Sequence, residues 1–278
     1  MPFLIVLLVL IALGIGYLLA IRGRKNHPGL KELHRWSYAH RGLHSEGIPE
    51  NSMAAFEAAK NGGYGVELDV HVLADGNLAV IHDSDLFRVT GQSGTIEELT
   101  TDQLQDYRLC GTQETIPEFR QVLELFHGEA PLIVELKTHK NNHAALSDAV
   151  CKMLDQYHGP YCLESFDPRC VLWLKKHRPD LIRGQLTENY FVKGRPRIPV
   201  ILKWIMTHNL ANCITKPDFV AYRYADRNCT ISNSLCLHRM TGVSWTITTP
   251  QEYETAVNEG WIPIFEGFLP DPDGLKNN

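Results

Sequence analysis

Short apolar segments alternate with helical segments from residue 36 onward, and this alternation constrains the fold more than any other feature. Eight of the apolar segments have the length and side-chain types of β-strands: residues 36–39, 64–70, 132–136, 161–164, 181–186, 219–222, 243–247 and 262–265. Strands that alternate with helices form parallel sheets with right-handed connections. Eight such units in about 235 residues approach the ~250 residues typical of a TIM barrel. We therefore predict the α/β class and a TIM (β/α)8 barrel.

An open, doubly wound parallel sheet is the second fold that this alternation allows. Such a sheet normally carries a glycine-rich fingerprint after its first strand. Here the first predicted strand leads into His40-Arg41-Gly42, and no such fingerprint follows. The barrel is therefore the preferred prediction.

The amino-terminal segment predicts a membrane anchor. No charged residue occurs from Phe3 to Ile21, and a helix of this length, at ~1.5 Å per residue, nearly crosses the ~30 Å hydrocarbon layer. A cleaved signal peptide is less favoured, because no basic region precedes the apolar run. We expect residues 1–21 to form one transmembrane helix, residues 22–35 a basic tether and residues 36–278 the barrel.

The flank of the apolar run indicates which side of the membrane the barrel occupies. Arg22, Arg24 and Lys25 follow the run directly, and the positive-inside rule puts such a flank in the cytoplasm. The seven cysteines are scattered and odd in number, which favours reduced thiols in a reducing compartment. We expect a single-pass membrane protein with a cytoplasmic domain. A formal charge of −5 argues against a nucleic-acid partner, which requires a basic excess.

Paired carboxylates on two predicted strands indicate a metal site. Glu67 and Asp69 are two residues apart and share one strand face, and Glu135 and Lys137 repeat this spacing on a later strand. Arg41 follows the first strand. All these residues fall at the carboxyl ends of strands, where a TIM barrel builds its active site. Three carboxylates without a thiolate favour Mg²⁺ or Ca²⁺ over zinc, and the two cations would bind a phosphoryl group.

Two histidines at strand ends are candidates for proton transfer. His40 follows the first strand and His82 follows the apolar run 78–81. An imidazole titrates near neutral pH and suits general acid and base catalysis. We expect one of the two to deprotonate the attacking oxygen and the other to protonate the leaving alkoxide.

Taken together, these residues resemble a known family. The glycerophosphodiester phosphodiesterases share, in order and spacing, the segments His40-Arg41-Gly42, Pro49-Glu50-Asn51-Ser52, Glu67-Leu68-Asp69-Val70, Asp75-Gly76, His82-Asp83, Glu135-Leu136-Lys137, Ser165-Phe166-Asp167-Pro168 and Val243-Ser244-Trp245-Thr246. The resemblance covers roughly residues 36 to 250. It implies a TIM barrel that hydrolyses glycerophosphodiesters to glycerol 3-phosphate and an alcohol with a Ca²⁺ or Mg²⁺ ion.

The resemblance also implies a role for each matching residue. These are the metal ligands Glu67, Asp69 and Glu135, the acid–base pair His40 and His82, the phosphate-binding Arg41 and Lys137, the bracing residues Glu50 and Asn51, and Trp245 as one wall of the site. For Trp245, a place in the barrel core fits the sequence nearly as well.

The anchor and the resemblance together suggest the partners. We expect a glycerophosphodiester or lysophospholipid substrate and contact with the lipid bilayer. The sequence leaves the oligomeric state open. Two other functions remain: phospholipase D-type cleavage of lysophospholipid or sphingolipid head groups, and a barrel that binds a phosphorylated ligand without turnover.

Two segments depart from the family pattern. Near the carboxyl end the family often has Thr-Asp before a proline, whereas this chain has Phe265-Glu266, so Glu266 could stand in for the acid. Between residues 187 and 217, basic residues precede an apolar run. Either an amphipathic segment that rests on anionic lipid or an ordinary barrel helix fits that pattern.

Overall fold

A computed structural model describes residues 2–24, 27–192, 198–230 and 240–276. Its first element is helix α1 (Pro2–Ala20), an exposed apolar helix with a mean hydropathy of 2.9 and no part of it buried. By length and composition α1 is a candidate membrane span, and a signal sequence shares the same features.

Eight parallel strands close into a barrel after α1. They are β1 (Tyr38–Ala39), β2 (Gly65–Val72), β4 (Leu132–Leu136), β5 (Tyr161–Ser165), β6 (Arg183–Thr187), β7 (Phe219–Arg223), β8 (Thr241–Ile247) and β9 (Trp261–Phe265). Each strand pairs with the next in this order, and β1 pairs with both β2 and β9, which closes the ring. The predicted TIM barrel is confirmed, with strand ends that differ from the predicted ones by a few residues.

Helices connect the strands on the outside of the barrel. They are α3 (Met53–Asn61), α4 (Phe87–Thr90), α5 (Phe119–Phe126), α6 (His143–Leu154), α7 (Pro168–His177), α8 (Val200–Thr207), α9 (Asn212–Thr215) and α10 (Pro250–Asn258), whereas the short helix α2 (Leu30–Leu33) precedes β1. Side-chain oxygens of Ser52, Asp167 and Thr249 cap α3, α7 and α10, which satisfies backbone N–H groups that lack a helical partner. The sequence also predicts a helix near residues 231–239, which lie outside the part of the chain that the structure describes.

A ninth strand, β3 (Leu78–Val80), pairs antiparallel with the far end of β2 and stays outside the ring. This pairing extends β2 to Val72, and His71 is buried within it at 1% exposure. The pairing of β2 with β4 ends at Val70, so His71 lies just past the barrel ring, where its pairing with β3 holds it.

Apolar side chains fill the amino-terminal half of the barrel interior. Tyr38, Ile133, Phe219 and Ile264 belong to one buried cluster with Leu33 of α2, and the Tyr38 hydroxyl donates to the Leu33 carbonyl at 3.1 Å. Polar residues of the same inward faces follow at the carboxyl ends. Because the lower layer excludes water and α2 covers it, charged groups concentrate at one end of the barrel.

The described part of segment 22–35, expected to be a tether, packs against the amino ends of the strands. Arg24 Nε lies 2.6 Å from Asp218 Oδ1, and the Arg24 N–H donates to the Pro217 carbonyl at 2.8 Å. Asp218 in turn accepts from the Arg183 N–H at the start of β6. Arg24, one of the basic residues of the predicted tether, is therefore in fixed contact with the barrel.

Candidate active site

Three carboxylates form the floor of a site at the carboxyl ends of the strands. Glu67 and Asp69 lie on β2, and Glu135 lies on β4 directly across from Asp69. Their exposures are 3%, 1% and 6%, and one oxygen of each lies within 4.8 Å of the others. The structure thus brings together all three residues that were expected to be metal ligands.

Two cations neutralise part of this acidic floor. Lys137 Nζ lies 3.2 Å from Asp69 Oδ1 and 3.0 Å from Glu135 Oε1. Arg41 Nε lies 3.5 Å from Asp69 Oδ2. Burial acts to raise the pKa of Asp69, but the nearby charges of Lys137, His82 and Arg41 together hold it well below its usual range. Asp69 is therefore the firmly ionised member of the cluster.

Glu67 has weaker positive neighbours. It accepts a hydrogen bond from the Arg41 N–H at 3.1 Å, and His40 Nε2 lies 3.9 Å away. Burial, with the negative charges of Asp69 and Glu135, raises the pKa of Glu67 well above its usual value. With all three carboxylates ionised the floor would have more negative than positive charge, and a cation with several oxygen ligands would correct this imbalance.

Two left-handed residues shape the loops beside this floor. Arg41 and Asn51 both have a φ of 53°, a conformation that is uncommon for residues other than glycine and is often found at functional sites. The Asn51 N–H donates to the Arg41 carbonyl at 2.9 Å, and Asn51 Nδ2 donates to Asp69 Oδ2 at 2.8 Å. Glu50 Oε1 accepts from Arg41 at 2.8 Å and from Arg88 at 2.6 Å. Asn51 therefore orients Asp69, and Glu50 orients Arg41.

Each candidate histidine has a carboxylate on its Nδ1 side. His40 Nδ1 lies 2.7 Å from Glu266 Oε2, and His82 Nδ1 lies 2.7 Å from Asp83 Oδ1. Burial lowers the pKa of His40, and the hydrogen bond to Glu266 partly offsets this. A carboxylate on Nδ1 fixes the tautomer and leaves Nε2 free to exchange a proton.

Aromatic side chains and a cavity complete the open side of the site. A cavity of about 250 Å³ is lined by His82, Glu135, Lys137 and Phe166 among others. The ring of Trp245 packs edge-on against Phe166 with centroids 5.5 Å apart, and its Nε1 donates to the Ala221 carbonyl at 3.2 Å. Trp245 is half-buried, so it has one side toward the barrel and one toward solvent. A larger cavity of about 680 Å³ lies between α5 and α6 and contains none of the predicted site residues.

Two polar residues of the site, Glu164 and His44, were not predicted from the sequence. Glu164 on β5 is paired with Glu135, 1% exposed, and its pKa is raised well above the usual value by burial and by the charges of Glu135 and Asp69. Glu164 could have been predicted from the alternation of β5, because it lies two residues after Cys162, whose side chain faces the barrel interior. His44, whose Nε2 is 3.6 Å from Glu266, lies in a loop, where no periodicity applies.

Comparison with known proteins assigns the chain to a family. The Glycerophosphoryl diester phosphodiesterase family matches residues 40–255, which include every predicted site residue. The chain belongs to this family. The resemblance found in the sequence is thereby confirmed.

Individual relatives in this family share shorter or more divergent regions. The chain is 35% identical over 130 residues to a Glycerophosphodiester phosphodiesterase of Bacillus altitudinis, covering 43% of this chain and 52% of that protein. It is 33% identical over 132 residues to Lysophospholipase D GDPD1 of Rattus norvegicus, covering 43% of this chain and 40% of that protein. The match thus spans about half the length of these relatives.

A solved structure has the same fold. The phosphodiesterase of Oleispira antarctica, in complex with the product sn-glycerol-3-phosphate, superposes with a TM-score of 0.66 at 22% identity. The superposition covers 87% of this chain and 95% of that chain. It supports the barrel over nearly the whole described region.

Proposed function

We propose that this chain is a membrane-anchored phosphoric diester hydrolase that cleaves glycerophosphodiesters to glycerol 3-phosphate and an alcohol. The observation that carries the proposal is the cluster of Glu67, Asp69 and Glu135, flanked by two cations and two imidazoles at one end of the barrel. Family membership and the names of the relatives give independent support.

The donor set of the acidic floor suits a hard divalent cation. Glu67, Asp69 and Glu135 offer carboxylate oxygens only, which Mg²⁺ and Ca²⁺ prefer. Together with Arg41 and Lys137 these residues carry a net charge of about −1, which a divalent cation and a singly charged phosphodiester would neutralise. When bound, the ion would supply Lewis-acid polarisation of the phosphoryl oxygens.

The chain's own cations would bind the phosphate. Arg41 is oriented by Glu50, and Lys137 lies against both Asp69 and Glu135. A guanidinium and an ammonium placed at the edge of the acidic floor would bind the phosphodiester oxygens and stabilise the charge that develops on them.

Two imidazoles would transfer the protons. His40 and His82 have Nδ1 engaged by Glu266 and Asp83, respectively, so Nε2 is the atom available to the substrate. One Nε2 would accept the proton of the attacking oxygen, and the other would donate a proton to the leaving alkoxide. Trp245 and Phe166 would form the wall beside the leaving group.

The domain organisation and location belong to the same proposal. Residues 1–21 would form the anchor, and the barrel would face the cytoplasm because Arg22, Arg24 and Lys25 follow the apolar run. Such an anchor favours substrates derived from membrane lipids. The rat relative named Lysophospholipase D GDPD1 makes cleavage of lysophospholipid head groups the second candidate activity.

The test is the release of glycerol 3-phosphate from glycerophosphoglycerol by the full chain in detergent, with and without EDTA. We expect release that EDTA abolishes, and that is lost in His40→Ala and Glu67→Ala. His177→Ala is the matched control, because His177 is exposed at the end of α7. Absence of release from folded, cation-supplied protein would refute the proposed activity. Release of choline from lysophosphatidylcholine in its place would support the second candidate.

A further inference from the structure

Helix α8 exposes an apolar face that no described part of the chain covers. Outside α1, nine large hydrophobic side chains are exposed among the described residues, and six of them lie between residues 191 and 204. We call these six the apolar patch: Phe191, Val192, Val200, Ile201, Leu202 and Trp204. Monomeric soluble proteins rarely expose large side chains in such a group, and a patch of this kind marks an interaction surface.

Hydrogen bonds hold the patch at the end of the barrel that contains the acidic floor. Thr187, the last residue of β6, donates from Oγ1 to the Met206 carbonyl at 2.8 Å. The Tyr222 hydroxyl donates to the Thr207 carbonyl at 3.2 Å, and the Tyr190 N–H donates to Thr207 Oγ1 at 3.1 Å. The last turn of α8 is therefore attached to the carboxyl ends of two strands, and the patch lies at the rim of the site.

Helix α1 passes beside the same region. Its last residue, Ala20, accepts from Lys216 Nζ at 2.7 Å, close to the amino end of β7. Less than one turn earlier, the Tyr17 hydroxyl donates to the carbonyl of His208, the residue after α8, at 2.9 Å. The last turn of α1 thus lies between the amino end of β7 and the end of α8. Its remaining residues, 2–16, are exposed.

The sequence of this segment suits an anionic lipid surface. The chain contains 32 Asp and Glu residues, yet none occurs between Glu188 and Asp218. Five Lys and Arg residues fall within the same stretch of sequence, and one of them, Lys203, lies on α8 itself. A sequence with this charge balance and an exposed apolar helix has the composition of a segment that lies in the headgroup layer.

We infer that the apolar patch lies in the headgroup layer of the same bilayer that holds α1, with the active-site end of the barrel turned toward the lipid surface. The inference rests on the proposed anchor and deepens the proposed function. Contact with the bilayer at two points, α1 and α8, would fix the orientation of the barrel. A lipid-derived substrate could then reach the acidic floor without leaving the membrane surface.

Fluorescence in vesicles tests the position of α8. The full chain is reconstituted in phosphatidylcholine and phosphatidylglycerol vesicles with bromine on the acyl chains, which quench nearby tryptophans. Among the five tryptophans, we expect Trp204 to account for most of the quenching, so that Trp204→Phe removes most of it. Trp173→Phe is the control, since Trp173 is half-buried on α7 and stacks on His177 with ring centroids 4.4 Å apart. Equal quenching in both variants, as expected if a second copy or another protein covers the patch, would overturn the inference.

Kinetics separate this inference from the proposed function. Ile201→Glu adds a negative charge to the patch, and we expect it to slow hydrolysis of lysophosphatidylglycerol in vesicles by on the order of tenfold, since a carboxylate is costly at an apolar lipid contact and is repelled by anionic headgroups. Release from water-soluble glycerophosphoglycerol should stay unchanged. Gln251→Glu adds the same charge at an exposed position of α10 and should affect neither substrate. If Ile201→Glu left vesicle hydrolysis intact, the docking would be refuted. If wild-type protein failed on both substrates, the proposed function would fail instead.

Discussion

Neutralising one carboxylate of the acidic floor should have opposite effects on stability depending on which carboxylate is chosen. In metal-free protein at pH 7, Asp69→Asn should lower the free energy of unfolding and Glu67→Gln should leave it unchanged or raise it. Both side chains are almost fully buried and both substitutions keep the size of the side chain. Because burial and size are matched, only the charged neighbours of the two carboxylates account for the different expected changes in the free energy of unfolding.

The magnitude follows from the partners of each carboxylate. Asp69 lies 3.2 Å from Lys137 Nζ and 3.5 Å from Arg41 Nε, and it accepts a hydrogen bond from Asn51. Removing its charge leaves two buried cations less well paired, and loss of one partner of a buried ion pair costs about 3–5 kcal/mol. At about 2–4 °C per kcal/mol, the melting temperature should fall by roughly 6 to 20 °C.

The charge of Glu67, in contrast, lowers the free energy of unfolding. Burial and two neighbouring carboxylates raise its pKa, so its ionised form is less favourable in the folded chain than in the unfolded chain. A group with a raised folded pKa destabilises the fold at pH values above its unfolded pKa, and pH 7 lies in that range. Glutamine removes this penalty and keeps an oxygen to accept from the Arg41 N–H.

Thermal unfolding in EDTA, followed by circular dichroism, measures both effects, and a titration with Ca²⁺ or Mg²⁺ adds the second readout. A cation at about a thousand times its Kd should stabilise wild-type protein by ~4 kcal/mol, and both variants should lose most of that gain. Equal destabilisation of the two metal-free variants would refute the charge argument. Unchanged cation stabilisation in both would refute the metal site.

Three shorter predictions concern single residues. Glu266→Gln removes the carboxylate charge that helps to raise the pKa of His40, so the midpoint of one limb of the pH–rate profile should move to lower pH, and an unmoved profile would exclude His40 from proton transfer. Lys137→Met should lower kcat/KM for glycerophosphoglycerol by on the order of 10²-fold, whereas a change of less than twofold would exclude a phosphate contact. Gly42→Ala should destabilise the fold by about 1–2 kcal/mol in chemical denaturation, because Gly42 has a φ of 78° and a Cβ would lie 2.9 Å from the Ala55 backbone; an unchanged midpoint would show that the turn relaxes.

Periodicity explains why much of the barrel and its floor could be predicted from the sequence. A strand of period two puts Glu67 and Asp69 on one face whatever surrounds them. Glu135 and Lys137 follow the same rule on β4. Because all parallel strands of a barrel end at the same rim, the carboxyl end of each strand identified the site before any contact was known.

Contacts between segments distant in the chain could not be predicted in this way. Glu266 pairs with His40 across 226 residues, and only closure of β9 onto β1 brings the two together. Arg24 was expected to be part of an exposed basic flank, because its partner, Asp218, lies 194 residues later in the chain. In both cases the sequence contained the charged residue but not the identity of its partner.

The attachment of Arg24 and Ile21 to the barrel has a consequence for proteolytic release. Ile21 is fully buried and Arg24 is paired with Asp218, so the residues just after the apolar helix are part of the folded unit. A protease that cut after Lys25 would remove these contacts and expose the amino ends of the strands. Shedding of a stable soluble enzyme would therefore require a cut ahead of Ile21, within the helix itself, where a surrounding bilayer would shield the peptide bonds.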